Sequence, residues 1–376
     1  MTQSPRDNVI DREPTTLRLT ARQWMAVAAA FVLILGVGSR VLTRPSAFER
    51  ADYRMGSAQA EDYWLFAQYS RWAVEHADCL VVGDSAIRGY YVADDQTLSH
   101  YLNSGVEGVR FANLGVDGLH PAAMAGLLRH YGKAIRRRPV LLHLNPLWMS
   151  SPQQDLQTQK ETSFHHARLT PQAFGSLACY RASFNERTSA VMARYIGPMS
   201  FASHVKISRY GGLDLARWTL EHPYACPLRG QQSSDRPIEP EQGKAWHEMG
   251  MTRRDVPFVD IASSVQWRFF KEAVSLLRAR GNTLFVVVGP FNEHMLEGES
   301  VARCAGMKEA FVRWLEAEGI AFHVAQVLPS DLYRDASHPL AGGYELMTSR
   351  LLTDDGFAAF LSLPTTGRLT DSLRPD

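Results

Sequence analysis

The chain has 376 residues, with 40 lysines and arginines against 39 aspartates and glutamates, 45% apolar residues and 4 cysteines. So even a charge balance speaks against a broad basic surface for nucleic acid, and ordinary apolar and charged fractions exclude wholesale disorder. Four cysteines without a Cys-x-x-Cys pair are too few for a disulfide scaffold or a structural zinc.

Residues 1–22 are polar, carry Pro5 and Pro14, and read as a disordered leader. Gln23 to Ser39 then run 17 residues without a charge between Arg22 and Arg40. A bilayer core needs about 20 apolar residues, and Val41 and Leu42 extend the stretch to 23–42 with Arg40 snorkelling to the headgroups. A buried core helix would be striped rather than continuously apolar. A cleaved signal peptide would use Ser57-Ala58-Gln59-Ala60 as its processing site. An uncleaved N-terminal anchor is the expectation. Arg6, Arg12, Arg18 and Arg22 before the span match Arg40, Arg44, Arg50 and Arg54 after it, so flanking charge sets no orientation. An extracytoplasmic domain is expected because a single N-terminal anchor usually exports the chain beyond it.

From Asp62 to His76 the aromatic residues crowd together, and two placements fit: a membrane surface, or an amphipathic helix packed on the domain. An α/β rhythm follows over 62–149 and returns over 258–360. Expected strands are Cys79–Val82, Val109–Leu114, Val140–Leu144, Thr283–Val288 and Ile320–Val324, short apolar runs of the kind buried on both faces. Expected helices run from Pro121 to about Arg138, from Ser264 to Arg280, from Val301 to Glu318 and from Leu340 to Leu352. Together they predict a three-layer α/β/α, mostly parallel, flavodoxin-like sheet. Residues 150–257 interrupt it as a polar insertion or lid, without a convincing strand and with helical stretches near Glu186–Tyr195 and Leu213–Glu221.

Ligands of parallel sheets sit beyond the carboxyl ends of the strands. There the sequence places Gly83-Asp84-Ser85, Asn113-Leu114-Gly115-Val116-Asp117-Gly118, Asn145-Pro146 and Asp335-Ala336-Ser337-His338. A serine hydroxyl is a weak nucleophile at neutral pH and needs an imidazole to take its proton. His338 is the expected base for Ser85, with Asp335, three residues away, fixing its tautomer. The N–H groups of Ser85 and Gly118 and the amide of Asn145 are the expected oxyanion donors. Asp84, His120, Asn292 and Glu293 lie at the same edge as candidate substrate-binding residues; a helix N-cap is the other reading of His120, and the start of the next helix that of Asn292 and Glu293.

At these residues the sequence resembles the GDSL/SGNH hydrolase superfamily. The resemblance covers about 78–150 and 262–352 and implies Ser85 as nucleophile, Gly118 and Asn145 in the oxyanion hole, and Asp335 and His338 completing the triad. Gly115 is the alternative to Gly118. Ala86 stands where the family has Leu, and Leu144-Asn145-Pro146 where it has Gly-x-Asn-Asp. Membrane-anchored members act in envelope-polysaccharide acylation beside membrane-bound acyl donors. The resemblance therefore implies a serine esterase or O-acyltransferase working on carbohydrate esters, with such a donor protein as partner. The alternative is an inactive polysaccharide-binding or scaffold subunit of the same fold.

No cofactor is implied: neither a Gly-x-Gly-x-x-Gly after a strand nor a Walker loop occurs. His165-His166 and His247-Glu248 lack a completing ligand, so no metal is expected. His143 reads as a satisfied core histidine and Cys79 as a buried strand residue. Cys179 and Cys226, both in the insertion, are candidates to pair if the domain is exported.

Overall fold

The computed structural model describes residues 19–41, 48, 53–170, 177–226 and 243–362, so the expected leader lies almost wholly outside the described residues. The chain divides into two units, 1–43 and 44–376. In the first, the charge-free run forms one continuous helix, α1 (Ala21–Val41). Among its described side chains Trp24, Met25, Phe31, Val32, Leu33 and Ile34 are more than half exposed. Among the described residues no helix is long and apolar enough to cross a membrane.

The second unit begins its regular structure with α2 (Tyr63–His76), capped by Asp62, whose carboxylate accepts from the Leu65 N–H at 3.0 Å. Tyr63, Trp64, Leu65, Phe66 and Tyr69 are buried, so the aromatic segment packs on the domain instead of lying at a membrane surface. Phe48 and Met55, ahead of it, are also in the core.

All five expected strands form: β1 (Cys79–Gly83), β2 (Phe111–Gly115), β3 (Pro139–Leu144), β4 (Thr283–Val288) and β5 (Ala321–Val324). They pair in parallel in the order β2-β1-β3-β4-β5. Alternate residues feed separate cores. Leu80, Val82, Val140, Leu142, Val286 and Val288 face one apolar cluster, whereas Cys79, Val81, Leu141, Phe285 and Val287 face another. Helices cover both faces, as an all-parallel sheet requires. On the first lie α2 and, further along the chain, helices carrying Met124 and Leu127, Trp267 and Phe270, and Phe311 and Leu315. On the second lie helices carrying Ile87, Leu98 and Leu102, Tyr344 and Leu351, and Phe357 and Phe360.

The remaining helices, in chain order, are α3 (Ser85–Arg88), α4 (Leu98–Gly105), α5 (Pro121–His130), α6 (Phe184–Tyr195), α7 (Gly197–Tyr210), α8 (Leu215–Glu221), α9 (Val265–Ala279), α10 (Ser300–Ala317), α11 (Ala341–Leu352) and α12 (Asp355–Ser362). The expected helix from Pro121 to Arg138 is a correction: α5 stops at His130, Gly132 follows, and Arg137 takes a left-handed φ of 53° in the turn into β3. The insertion contributes α6, α7 and α8, and its described residues hold no strand. Asp155 ties its start to α9, accepting from the N–H groups of Val265 at 2.8 Å and Gln266 at 3.1 Å. Cys179 is buried, Cys226 is exposed and both are free thiols, which corrects the expected pairing.

The strand order reverses direction between β1 and β3, and a crevice opens at such a switch point beyond the strands' carboxyl ends. Gly83, the last residue of β1, is closely packed there. A Cβ there would lie 2.3 Å from Cγ1 of Ile87 and 2.8 Å from Cβ of His143. Gly83→Ala is therefore expected to cost about 1–3 kcal/mol of stability by overpacking, and thermal unfolding would show it as a lowered midpoint.

Candidate active site

The turn after β1 is built to hold one serine. Asp84 caps α3, with Oδ1 accepting from the Ala86 N–H at 3.0 Å, and Ser85 is the first residue of that helix. Gly115, ending β2, lets the α3 backbone come so close that a Cβ would lie 2.4 Å from the Arg88 nitrogen. Tyr344 of α11 donates its hydroxyl to the Ala86 carbonyl. Strand ends below and α11 beside it thus fix the first turn, and the Ser85 hydroxyl with it.

Asp84 is nearly fully buried, and its two oxygens gather four donors. Oδ1 takes the Ala86 N–H and His143 Nδ1 at 3.2 Å; Oδ2 takes Asn145 Nδ2 at 2.7 Å and Trp148 Nε1 at 2.8 Å. Burial pushes its carboxyl up, but His143's charge and hydrogen bond, with His338 and Asn145, outweigh this and hold it at about 2. His143 is itself satisfied, its Nε2 lying 2.9 Å from the Gly289 carbonyl.

The base stands on a closed loop between β5 and α11. The loop's base is tied by the Arg334 N–H to the His338 carbonyl at 2.9 Å and by the Leu340 N–H to the Leu332 carbonyl at 2.8 Å. Asn292 braces it from the β4 side, donating Nδ2 to the Asp335 carbonyl at 3.1 Å. Within the loop, Asp335 Oδ1 accepts the N–H groups of Ser337 at 2.9 Å and His338 at 3.0 Å. His338 Nδ1 lies 2.9 Å from each Asp335 oxygen, and Nε2 lies 2.7 Å from Ser85 Oγ, 253 residues away. Nδ1 donates to the carboxylate, which leaves Nε2 as the acceptor for the serine proton.

Burial would pull the His338 pKa down; the Asp335 hydrogen bond and charge, with Asp84 and Asp117 behind, overcome it and set it above the usual imidazole value. Asp335 moves the opposite way: burial raises its carboxyl, but His338 and the two backbone N–H groups leave it below the usual range. The pair is therefore a carboxylate beside an imidazole that holds a proton well, as a general base requires.

Neither the family models nor the curated proteins compared with the chain give a match.

Three expected site residues thus meet: Ser85, Asp335 and His338. Of the expected oxyanion donors, the N–H groups of Ser85 and Gly118 donate to no other group of the described residues. Gly118 has a φ of +68°, and a Cβ on it would lie 2.7 Å from the His165 ring, so only glycine fits there. Gly115, the alternative, is occupied in packing against α3. Asn145 commits one amide N–H to Asp84, while its Oδ1 accepts the Leu147 N–H at 3.0 Å.

The four candidate substrate contacts all have partners within the protein, and the N-cap reading of His120 is the one the structure shows. Asp84 is buried under its donors. His120 is 1% exposed and caps α5, its Nδ1 accepting from the Ala123 N–H at 3.3 Å and its Nε2 donating to the His165 carbonyl at 3.0 Å. Burial, with His166 beside it, lowers His120 to about 3, which matches a neutral ring in both bonds. Asn292 is fully buried as the loop brace, and Glu293 is ion-paired with Lys308. Sequence reasoning missed Tyr90 and Tyr91, whose rings stand 6.2 Å and 5.1 Å from that of His338, and Trp148 on Asp84. The tyrosines' place one turn past the nucleophile was the available signal.

Because Asp335 holds the proton on His338, Asp335→Asn is expected to move the acid limb of kcat/KM to lower pH. The rate itself should fall about 10³–10⁴-fold through loss of the correct tautomer. A pH–rate profile on an aryl acetate measures both.

Proposed function

We propose that this chain is a membrane-anchored GDSL/SGNH-type serine esterase or O-acyltransferase acting on ester groups of cell-envelope or exported polysaccharide. The observation that carries the reading is the 2.7 Å approach of Ser85 Oγ to an imidazole oriented by Asp335 at 2.9 Å. A polysaccharide-binding scaffold has no use for that arrangement.

In the first half-reaction Ser85 Oγ attacks the ester carbonyl carbon while its proton passes to His338 Nε2. The Ser85 and Gly118 N–H groups receive the oxyanion, together with the amide proton Asn145 does not give to Asp84. The C–O bond to the sugar or donor alcohol breaks, and His338 returns the proton to the leaving oxygen. In the second half, water or a sugar hydroxyl gives its proton to Nε2 and attacks the acyl-serine, completing hydrolysis or transfer. Transfer requires an acyl donor, and a membrane-bound donor protein is the partner this reading supplies.

What supports anchoring is α1, several of whose described apolar side chains are more than half exposed. Retention of the segment rests on Phe48 and Met55: processing at 57–60 would strip both from the core, along with the Arg54 bonds to the carbonyls of Gly89 and Val92.

Covalent labelling of the full chain by a fluorophosphonate, lost in Ser85→Ala, is the expected outcome; no labelling of the wild type overturns the catalytic reading. Acetate release from an aryl acetate should fall when an oligosaccharide acceptor is added if transfer dominates, with ester appearing on the sugar. For placement, a reporter fused after Asp376 is expected to be active outside the cytoplasm, and activity confined to the cytoplasm overturns it.

A further inference from the structure

Of eight side-chain polar atoms sealed from solvent without a hydrogen-bond partner among the described residues, four lie on the His338 loop and its brace. They are Nε and Nη1 of Arg334, Oγ of Ser337 and Oδ1 of Asn292. Arg334 stands out because it carries a full charge at 8% exposure. Its Cζ sits 5.1 Å from the centroid of Tyr91, and that same ring stands 5.1 Å from the ring of His338, at right angles to it.

A buried guanidinium ordinarily finds an anion or carbonyl oxygens, since an unanswered charge in a dry environment is strongly destabilising. Arg88, buried to 5% exposure on the opposite side of the nucleophile turn, shows the ordinary solution: it donates to the Met55 carbonyl and pairs with Asp117 at 3.4 Å. Arg334 has neither. The nearest carboxylate along the chain, Asp335, is already engaged by His338 and two backbone N–H groups. The Tyr91 face answers the charge only in part. Nε and Nη1 are sealed, so the nitrogen left for a ligand is Nη2, on a guanidinium whose Cζ lies over the Tyr91 ring.

We propose that Arg334 is a substrate-recognition residue beside the Ser85–His338 pair, and that the molecule handled there carries an oxyanion, carboxylate or phosphate, next to the reacting ester. A neutral acylated sugar brings no charge to Nη2, whereas an acidic one brings an anion to it. This rests on the catalytic reading of Ser85 and names the class of glycan it serves: acidic rather than neutral.

Three sugars serve as probes, none a substrate for ester cleavage: methyl glucuronoside, glucose phosphate and methyl glucoside. Their affinities are measured by NMR titration on the full-length protein and on Arg334→Gln. One of the two anions is expected to bind about tenfold or more tightly than the neutral glucoside, and Arg334→Gln to abolish that ratio. Which anion is preferred separates a uronate from a phosphate substrate. Equal binding of charged and neutral sugars by the wild type overturns the proposal, as does a ratio that survives the substitution. Arg334→Met, which keeps the stem on Tyr91, replaces the glutamine variant if thermal unfolding shows that one misfolded. An Arg334-dependent ratio without fluorophosphonate labelling would sustain the anion site and sink the esterase. Labelling without any ratio would do the reverse.

Discussion

The site hangs on one buried carboxylate. Asp84 receives a backbone N–H from α3, an imidazole and an amide from the end of β3, and an indole from the turn beyond it. Those donors belong to the two strands between which the sheet changes winding direction, so the contact holds the crevice together at its floor. A charge so placed is tolerated only because every lone pair is met. The nucleophile's placement is a direct result: it is the next residue, and its position is inherited from the cap.

Glycines complete that inheritance. Gly83 and Gly115 end the two neighbouring strands level with one another, and at both the missing side chain is filled by α3. The short helix is therefore pressed onto the sheet rather than perched on a loop. Gly118 serves differently, lying against His165 from the insertion, whose neighbour His166 reaches the Asp117 carbonyl at 2.6 Å. The insertion thus braces the strand-two loop on which an oxyanion donor stands.

Much of this was legible in the sequence, for identifiable reasons. Each strand is an apolar run with Gly or a charged residue at its edge, a pattern that burial on both faces imposes, so all five were found to within two residues. The helices with a Pro start, a Ser cap or a Gly stop were found as well. α3 and α4 were not, being too short to display a period; nor was α7, where Gly197 and Pro198 look like a break but form its first turn. In the site, Ser85, Asp335 and His338 were legible because their chemistry allows few other uses for that combination. Whether Asp84 and His120 face ligand or the protein's own backbone was not legible, because polarity at a strand end looks the same in both cases. Only burial separates the two. Arg334 carries no spacing that would mark it.

Ser85 precedes four of the five strands, while His338 lies beyond the last. A polypeptide emerging in order, from residue 85 onward, holds an idle hydroxyl until the final two strands and the loop after them have docked. No fragment ending before residue 338 possesses the proton acceptor, and the closure needed to bring it home is among the longest the topology contains. The Ser85–His338 contact in this way reports completed docking, because it forms only once the last strand and the loop after it are in place.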